Sequence, residues 1–143
     1  MGQDQVDEEF SSGSRWHRWE PHIHAPGTVL NDQFKGPDSW EQYLAALETA
    51  APTIRAVGVT DYYSTETYER VCVEKRNGRL PSCVLLFPNI EMRLGIGTVK
   101  GKWVNVHLLV SPEHEDHVIE LKRFLSRLSF NAYEDSFAAT EMT

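Results

Sequence analysis

The sequence predicts an α/β domain built on a largely parallel sheet, and three observations point there. Runs rich in β-branched residues, Ile54 to Thr60 (IRAVGVT), Val84 to Phe87 (VLLF) and Trp103 to Val110 (WVNVHLLV), have the length and composition of buried strands. Apolar residues at helical spacing lie between and after them, at Trp40, Tyr43, Leu44 and Leu47 and again at Val118, Leu121, Phe124, Leu125 and Leu128. A chain of 143 residues, 41% hydrophobic and 24% charged, is long enough and apolar enough for one domain with its own core.

Each element follows in order. Residues 1–14 (MGQDQVDEEFSSGS) are polar and acidic and are expected to form a flexible tail, with the domain occupying 15–143. Residues 19–24 are predicted as a first strand, followed by a Pro-, Gly-, Asn- and Asp-rich loop from Ala25 to Pro37. Asp38 or Ser39 can cap a helix reaching Ala50, which Pro52 closes. The strand from Ile54 ends at Asp61; Ser64 or Thr65 opens a second helix that stops at Asn77-Gly78. After Val84 to Phe87, Pro88-Asn89 is expected to interrupt the strand before Ile90 to Leu94 continues extended. Gly95, Gly97 and Gly101 predict turns, with a local antiparallel hairpin between Glu91 and Trp103. Pro112-Glu113 is expected to start the last helix, and beyond Leu128 the pattern is ambiguous.

Composition narrows the function. A net charge of −7 lacks the broad positive field of non-specific nucleic-acid binders, although bound divalent cations would reverse the field locally and admit a phosphorylated substrate. No apolar run approaches the ~20 residues that span a bilayer, and no secretory leader pattern occurs, so the expectation is a cytoplasmic protein with no membrane partner. Cys72 and Cys83 sit in no metal-binding or redox spacing and are expected to be reduced thiols.

The chemistry concentrates at strand ends. His22 and His24 alternate along an extended segment and so share one side of it, forming half of a metal site. Asp61 ends the second strand, Glu91 follows the third, and His107 lies in the fourth. Ligands of α/β sheets gather at the carboxyl ends of strands, which places all five on one rim. Imidazoles with a carboxylate suit Zn2+, Mn2+ or Fe2+. A bridging carboxylate, for which Glu91 is the central candidate, would hold a pair of such ions and serve phosphoester hydrolysis.

The ordered segments HIHAPGT, AVGVTDYYS, FPNIEMRL and NVHLLV resemble the first motifs of the PHP (polymerase and histidinol phosphatase) family. The run from Arg15 to Leu128 is similar to the N-terminal region of PHP proteins of the TrlF-like group, which carry an ATPase domain downstream. The resemblance implies a partial distorted (β/α)7 barrel, its first four or so strands with flanking helices. It implies metal ligation by His22, His24, Glu91 and His107, with Glu91 bridging two divalent ions. Asp61 matches the aspartate of the family's T-D-H motif and would orient ligands, so Asp61 and Glu91 are the catalytic candidates. Tyr62 stands where that motif has a histidine, and Asp32 in the loop is a candidate for the third metal that the missing histidine would serve. Tyr62 and Arg93 are candidate phosphate contacts.

The resemblance implies a metal-dependent phosphoesterase acting on a phosphoester, in nucleic acid or a nucleotide, with nucleic-acid maintenance, RNA processing or phage defence as settings. Later family motifs find no match after Leu128, so the chain is expected to be a fragment, or to complete its sheet as a homo-oligomer or with an ATPase domain or subunit. The alternative is a non-catalytic PHP-like interaction or regulatory module. His114 and His117 read as a solvated helix start, and Trp16, Trp19, Trp40 and Trp103 as packing residues.

Overall fold

The structure, a computed structural model, describes residues 16–28 and 32–128. The expected tail, Arg15, Asn31 and the segment after Leu128 lie outside the described residues. The elements run β1 (Arg18–His24), α1 (Ser39–Glu48), β2 (Ile54–Tyr62), α2 (Glu66–Arg76), β3 (Leu85–Gly97), β4 (Trp103–Leu109) and α3 (His117–Leu125). The strands form one curled sheet in the order β1-β2-β3-β4. β1, β2 and β3 are parallel, and β4 returns antiparallel along β3. The sheet is therefore mixed: three parallel strands, plus the expected antiparallel hairpin, in which the turn at Thr98–Lys102 reverses the chain too tightly for a helical crossover.

Register divides the sheet into two faces. In parallel pairing, Ile23 lies beside Val59, Val59 beside Pro88, and Asp61 beside Ile90. This face is apolar and all three helices pack on it. Tyr43, Leu44 and Leu47 from α1 and Tyr68 and Val71 from α2 join Val57 and Val59 in one core. Leu121 and Leu125 from α3 cover Ile90, with Met92, Leu108 and Val110 around them. The opposite face carries His24 beside Thr60, Thr60 beside Asn89, and Tyr62 beside Glu91. Across the hairpin Glu91 lies opposite His107 and Arg93 opposite Asn105, which extends that polar face onto β4.

Two backbone details position the site. Between Glu20–Val57 and Ile23–Val59 the register slips, so that Pro21 and His22 together oppose Gly58. A Cβ on Gly58 would stand 2.2 Å from the Pro21 carbonyl oxygen and 2.8 Å from Phe87 Cε2, so only glycine lets β1 bulge inward here. Pro88 does not interrupt the third strand, contrary to expectation. Its carbonyl accepts from the Val110 amide, so its nitrogen also faces β4, at the point where β4 has ended. No ladder bond is lost there.

Other sequence expectations are revised locally. α3 begins at His117, not at Pro112, because the His117 amide donates to the His114 carbonyl in a closed turn. His117 is no solvated helix start: its Nδ1 bonds that same carbonyl and its Nε2 meets the Tyr68 hydroxyl at 2.9 Å. Phe124 falls off the apolar stripe and is exposed. Trp16, Trp19 and Trp103 are exposed rather than packed, the last two on the outer strands β1 and β4; Trp40 packs on Tyr43 beneath the Arg70 guanidinium. Both cysteines are unpaired thiols. No helix among the described residues is long and apolar enough to cross a membrane.

Candidate metal centre

The bulge at Pro21 and the ends of β2 and β3 bring three side chains to one point of the polar face. His22 Nε2 and His24 Nε2 lie 3.0 Å apart. His24 Nε2 is 3.2 Å and His22 Nε2 3.4 Å from Glu91 Oε2. Among the described residues, His22, His24 and Glu91 form the His/Cys/Asp/Glu group whose ligating atoms all lie within 4.8 Å of one another. Ligands bound to one ion at about 2.0–2.2 Å are about 2.9–3.5 Å apart across a tetrahedral or octahedral face, and this triangle has that size.

The hydrogen bonding of Glu91 strengthens the fit. Its side chain is 3% exposed. Oε1 accepts from Asn105 Nδ2, at the short distance of 2.5 Å. Oε2 has no hydrogen-bond partner, although it is fully enclosed. A buried carboxylate oxygen left without a donor costs free energy unless a cation meets it. The two imidazole nitrogens beside that oxygen give a nitrogen–nitrogen–oxygen set of the kind that can hold a divalent ion.

The histidines differ in exposure. His24 is nearly enclosed and stacks on Tyr62 with ring centroids 5.4 Å apart, whereas His22 is nearly half exposed. Burial holds the His24 imidazole below the ordinary histidine value; Glu91 opposes this, and the nearby rings of His22 and His107 reinforce it. His24 therefore stays neutral further into the acidic range than an ordinary histidine.

His107 stands beside this group, its ring centroid 4.5 Å from that of His22. It is exposed, and its nitrogens lie outside the closest set of three. Asp61 is buried but faces the helices. Its Oδ1 accepts from the Tyr62 amide at 2.8 Å and its Oδ2 from the Thr67 hydroxyl at 3.0 Å, tying β2 to the first turn of α2. The period-two alternation that puts Tyr62 against His24 turns Asp61 away. Asp32 accepts from the Gly27 and Phe34 amides, which organises its loop. Arg93 follows Glu91 by two residues on the same face, half-buried, with its backbone bonded to the Tyr63 hydroxyl.

Two residues at the centre went unmarked in the sequence. Asn89, 1% exposed, and Asn105 hold Pro21, His107 and Glu91 in place. Their signal was present: each lies two residues before a histidine or carboxylate of the site, in Asn89-Ile90-Glu91 and Asn105-Val106-His107, and so shares its face. No protein-family model, curated protein or solved structure matches this chain.

Proposed function

We propose that this chain carries the metal centre of a phosphoesterase of the PHP type, hydrolysing a phosphoester in a nucleotide or nucleic acid. The observation that supports the reading most directly is Glu91 Oε2, buried without a hydrogen-bond donor and facing two imidazole nitrogens. On this reading the mixed sheet is the opening part of a distorted (β/α)7 barrel, with the polar face turned inward. His22, His24 and Glu91 would hold one divalent ion, and His107 would help hold a second against Glu91. Such ions, when bound, lower the pKa of water and offset negative charge accumulating at phosphorus.

The protein's own contribution is placement. Asn105 fixes the Glu91 carboxylate, and Tyr62 walls His24 against solvent. The more exposed His22 marks the side from which substrate would approach. Arg93 and Tyr62 share the site face and are candidates for phosphate contact, a guanidinium being well matched to phosphate oxygens.

The test is elemental analysis of the purified chain, followed by a phosphomonoester and phosphodiester screen with added Mn2+ or Zn2+. The expected result is bound divalent metal and metal-dependent hydrolysis, both lost in the His22→Ala/His24→Ala double variant. Metal content and hydrolysis unchanged in that variant would refute the reading.

A second reading is favoured by Asp61 and Tyr62. With Asp61 engaged by α2 and a tyrosine where the motif has a histidine, fewer ligands reach the pocket. A non-catalytic interaction module of the same ancestry would bind metal at His22, His24 and Glu91 yet hydrolyse nothing. The same screen separates the two.

A further inference from the structure

Asn89 is buried to 1% in the middle of β3 and touches both outer strands of the sheet. Its Nδ2 donates to the Pro21 carbonyl at 2.8 Å, on β1. Its Oδ1 meets His107 Nδ1 at 3.0 Å, on β4. The chemistry at one end dictates the other. A carbonyl oxygen only accepts, so the amide must turn its NH2 toward Pro21. Oδ1 is then committed to His107, and an amide oxygen only accepts. His107 Nδ1 must therefore carry the proton, which leaves Nε2 of the neutral ring with its lone pair free. The reversed amide would set oxygen against the Pro21 carbonyl and bring two donors together at His107.

We propose that Asn89 is a positioning residue that sets the tautomer of His107 through the Pro21 carbonyl, so that the bulge which aims His22 and the ring that presents His107 are fixed by one side chain. The role assigned to His107 rests on the metal-centre reading above; the tautomer itself does not. Pro21 directly precedes His22 and, with it, opposes Gly58 in the bulge. The His107 and His22 rings lie 4.5 Å apart. A histidine that ligates a metal generally donates its other ring N–H to a fixed acceptor, which sets ring orientation and tautomer. Asn89 is that acceptor for His107, and its second contact makes the acceptor unable to flip.

The experiment is nitrogen-15 NMR of the histidine rings in the metal-free full chain at a pH where His107 is neutral. The His107 signals are assigned by loss in His107→Gln. Wild-type protein is expected to show His107 protonated at Nδ1. In Asn89→Ala the ring should shift toward the Nε2-protonated form that an unrestrained imidazole favours. Asn89→Asp keeps an acceptor and should retain the Nδ1 proton while losing the bond to Pro21. Zn2+ affinity, from competition with a chromophoric chelator, should fall about 10–100-fold in Asn89→Ala. A wild-type His107 protonated at Nε2, or a tautomer unmoved by Asn89→Ala, overturns the proposal, and the wild-type spectrum decides even if a variant fails to fold. Wild-type protein that binds no Zn2+ defeats the metal-centre reading while leaving the tautomer result standing, so the two failures are distinguishable.

Discussion

Asp61 and Glu91 are both buried carboxylates on adjacent strands, 6% and 3% exposed, yet they lie on opposite faces of one sheet. Asp61 faces the helices, and each of its oxygens accepts a hydrogen bond, from the Tyr62 amide and the Thr67 hydroxyl. Glu91 faces the polar side, where Asn105 serves one oxygen and the Nε2 atoms of His24 and His22 lie 3.2 and 3.4 Å from the other. A buried charge with its oxygens hydrogen-bonded is part of the scaffold. A buried carboxylate oxygen flanked by two imidazole nitrogens and making no hydrogen bond is a place where a cation would be stabilised.

The contrast between the two faces can be broken or sharpened by mutation. The largest effect on stability belongs to the helix-covered face. Leu44→Ala, at a position 2% exposed within the α1–α2 core, should cost about 2–5 kcal/mol in denaturant unfolding. Zn2+ affinity measured under native conditions should not change. A loss of Zn2+ binding in the folded variant would mean that the two faces are not independent.

Gly58→Ala comes next and bridges the faces. The added Cβ overlaps the Pro21 carbonyl, so β1 must shift outward, at a cost of about 1–3 kcal/mol. Because Pro21 and His22 share the bulge, Zn2+ affinity should fall as well. Reduced stability with unaltered Zn2+ binding would show that the bulge does not position His22.

Asp61→Asn should cost about 1–3 kcal/mol, since an amide cannot accept at both positions. Differential scanning calorimetry would read the loss, and Zn2+ binding should persist. Abolished Zn2+ binding at intact stability would return Asp61 to the site.

The smallest effect is that of pH. Burial lowers the His24 pKa below its unfolded value of 6.5. Between 6.5 and the depressed folded value the unfolded chain therefore binds a proton that the folded chain does not. Stability from this group is fully present above 6.5 and declines as pH falls toward the depressed folded value. His24→Gln should flatten that part of the metal-free stability profile; a profile of unchanged slope would remove His24 as its source.

Much of this arrangement was legible in the sequence, for identifiable reasons. The β-branched run of β2 and the stripe of α1 depend on local periodicity, and they fold as read. His22 and His24 were visible because two ligands of one type sat two residues apart. Asp61 was misplaced on the rim because proximity to a strand end does not tell which face a side chain takes; only the register with β3 does. Pro88 seemed a breaker because the sequence does not show that β4 stops one residue short of its nitrogen. Asn89 and Asn105 shared a face with Glu91 and His107 in the sequence pattern, but their hydrogen-bond partners, as far as 68 residues away for Asn89, were not legible there.

The central claim is that the open Glu91 oxygen awaits a cation. Isothermal titration of metal-free protein with Zn2+, together with chemical unfolding, compares wild type with Glu91→Gln. The account predicts that Glu91→Gln binds Zn2+ far more weakly yet is at least as stable as wild type without metal, because it removes a buried, half-served charge. A Glu91→Gln protein that is destabilised without metal and still binds Zn2+ as wild type does would contradict it.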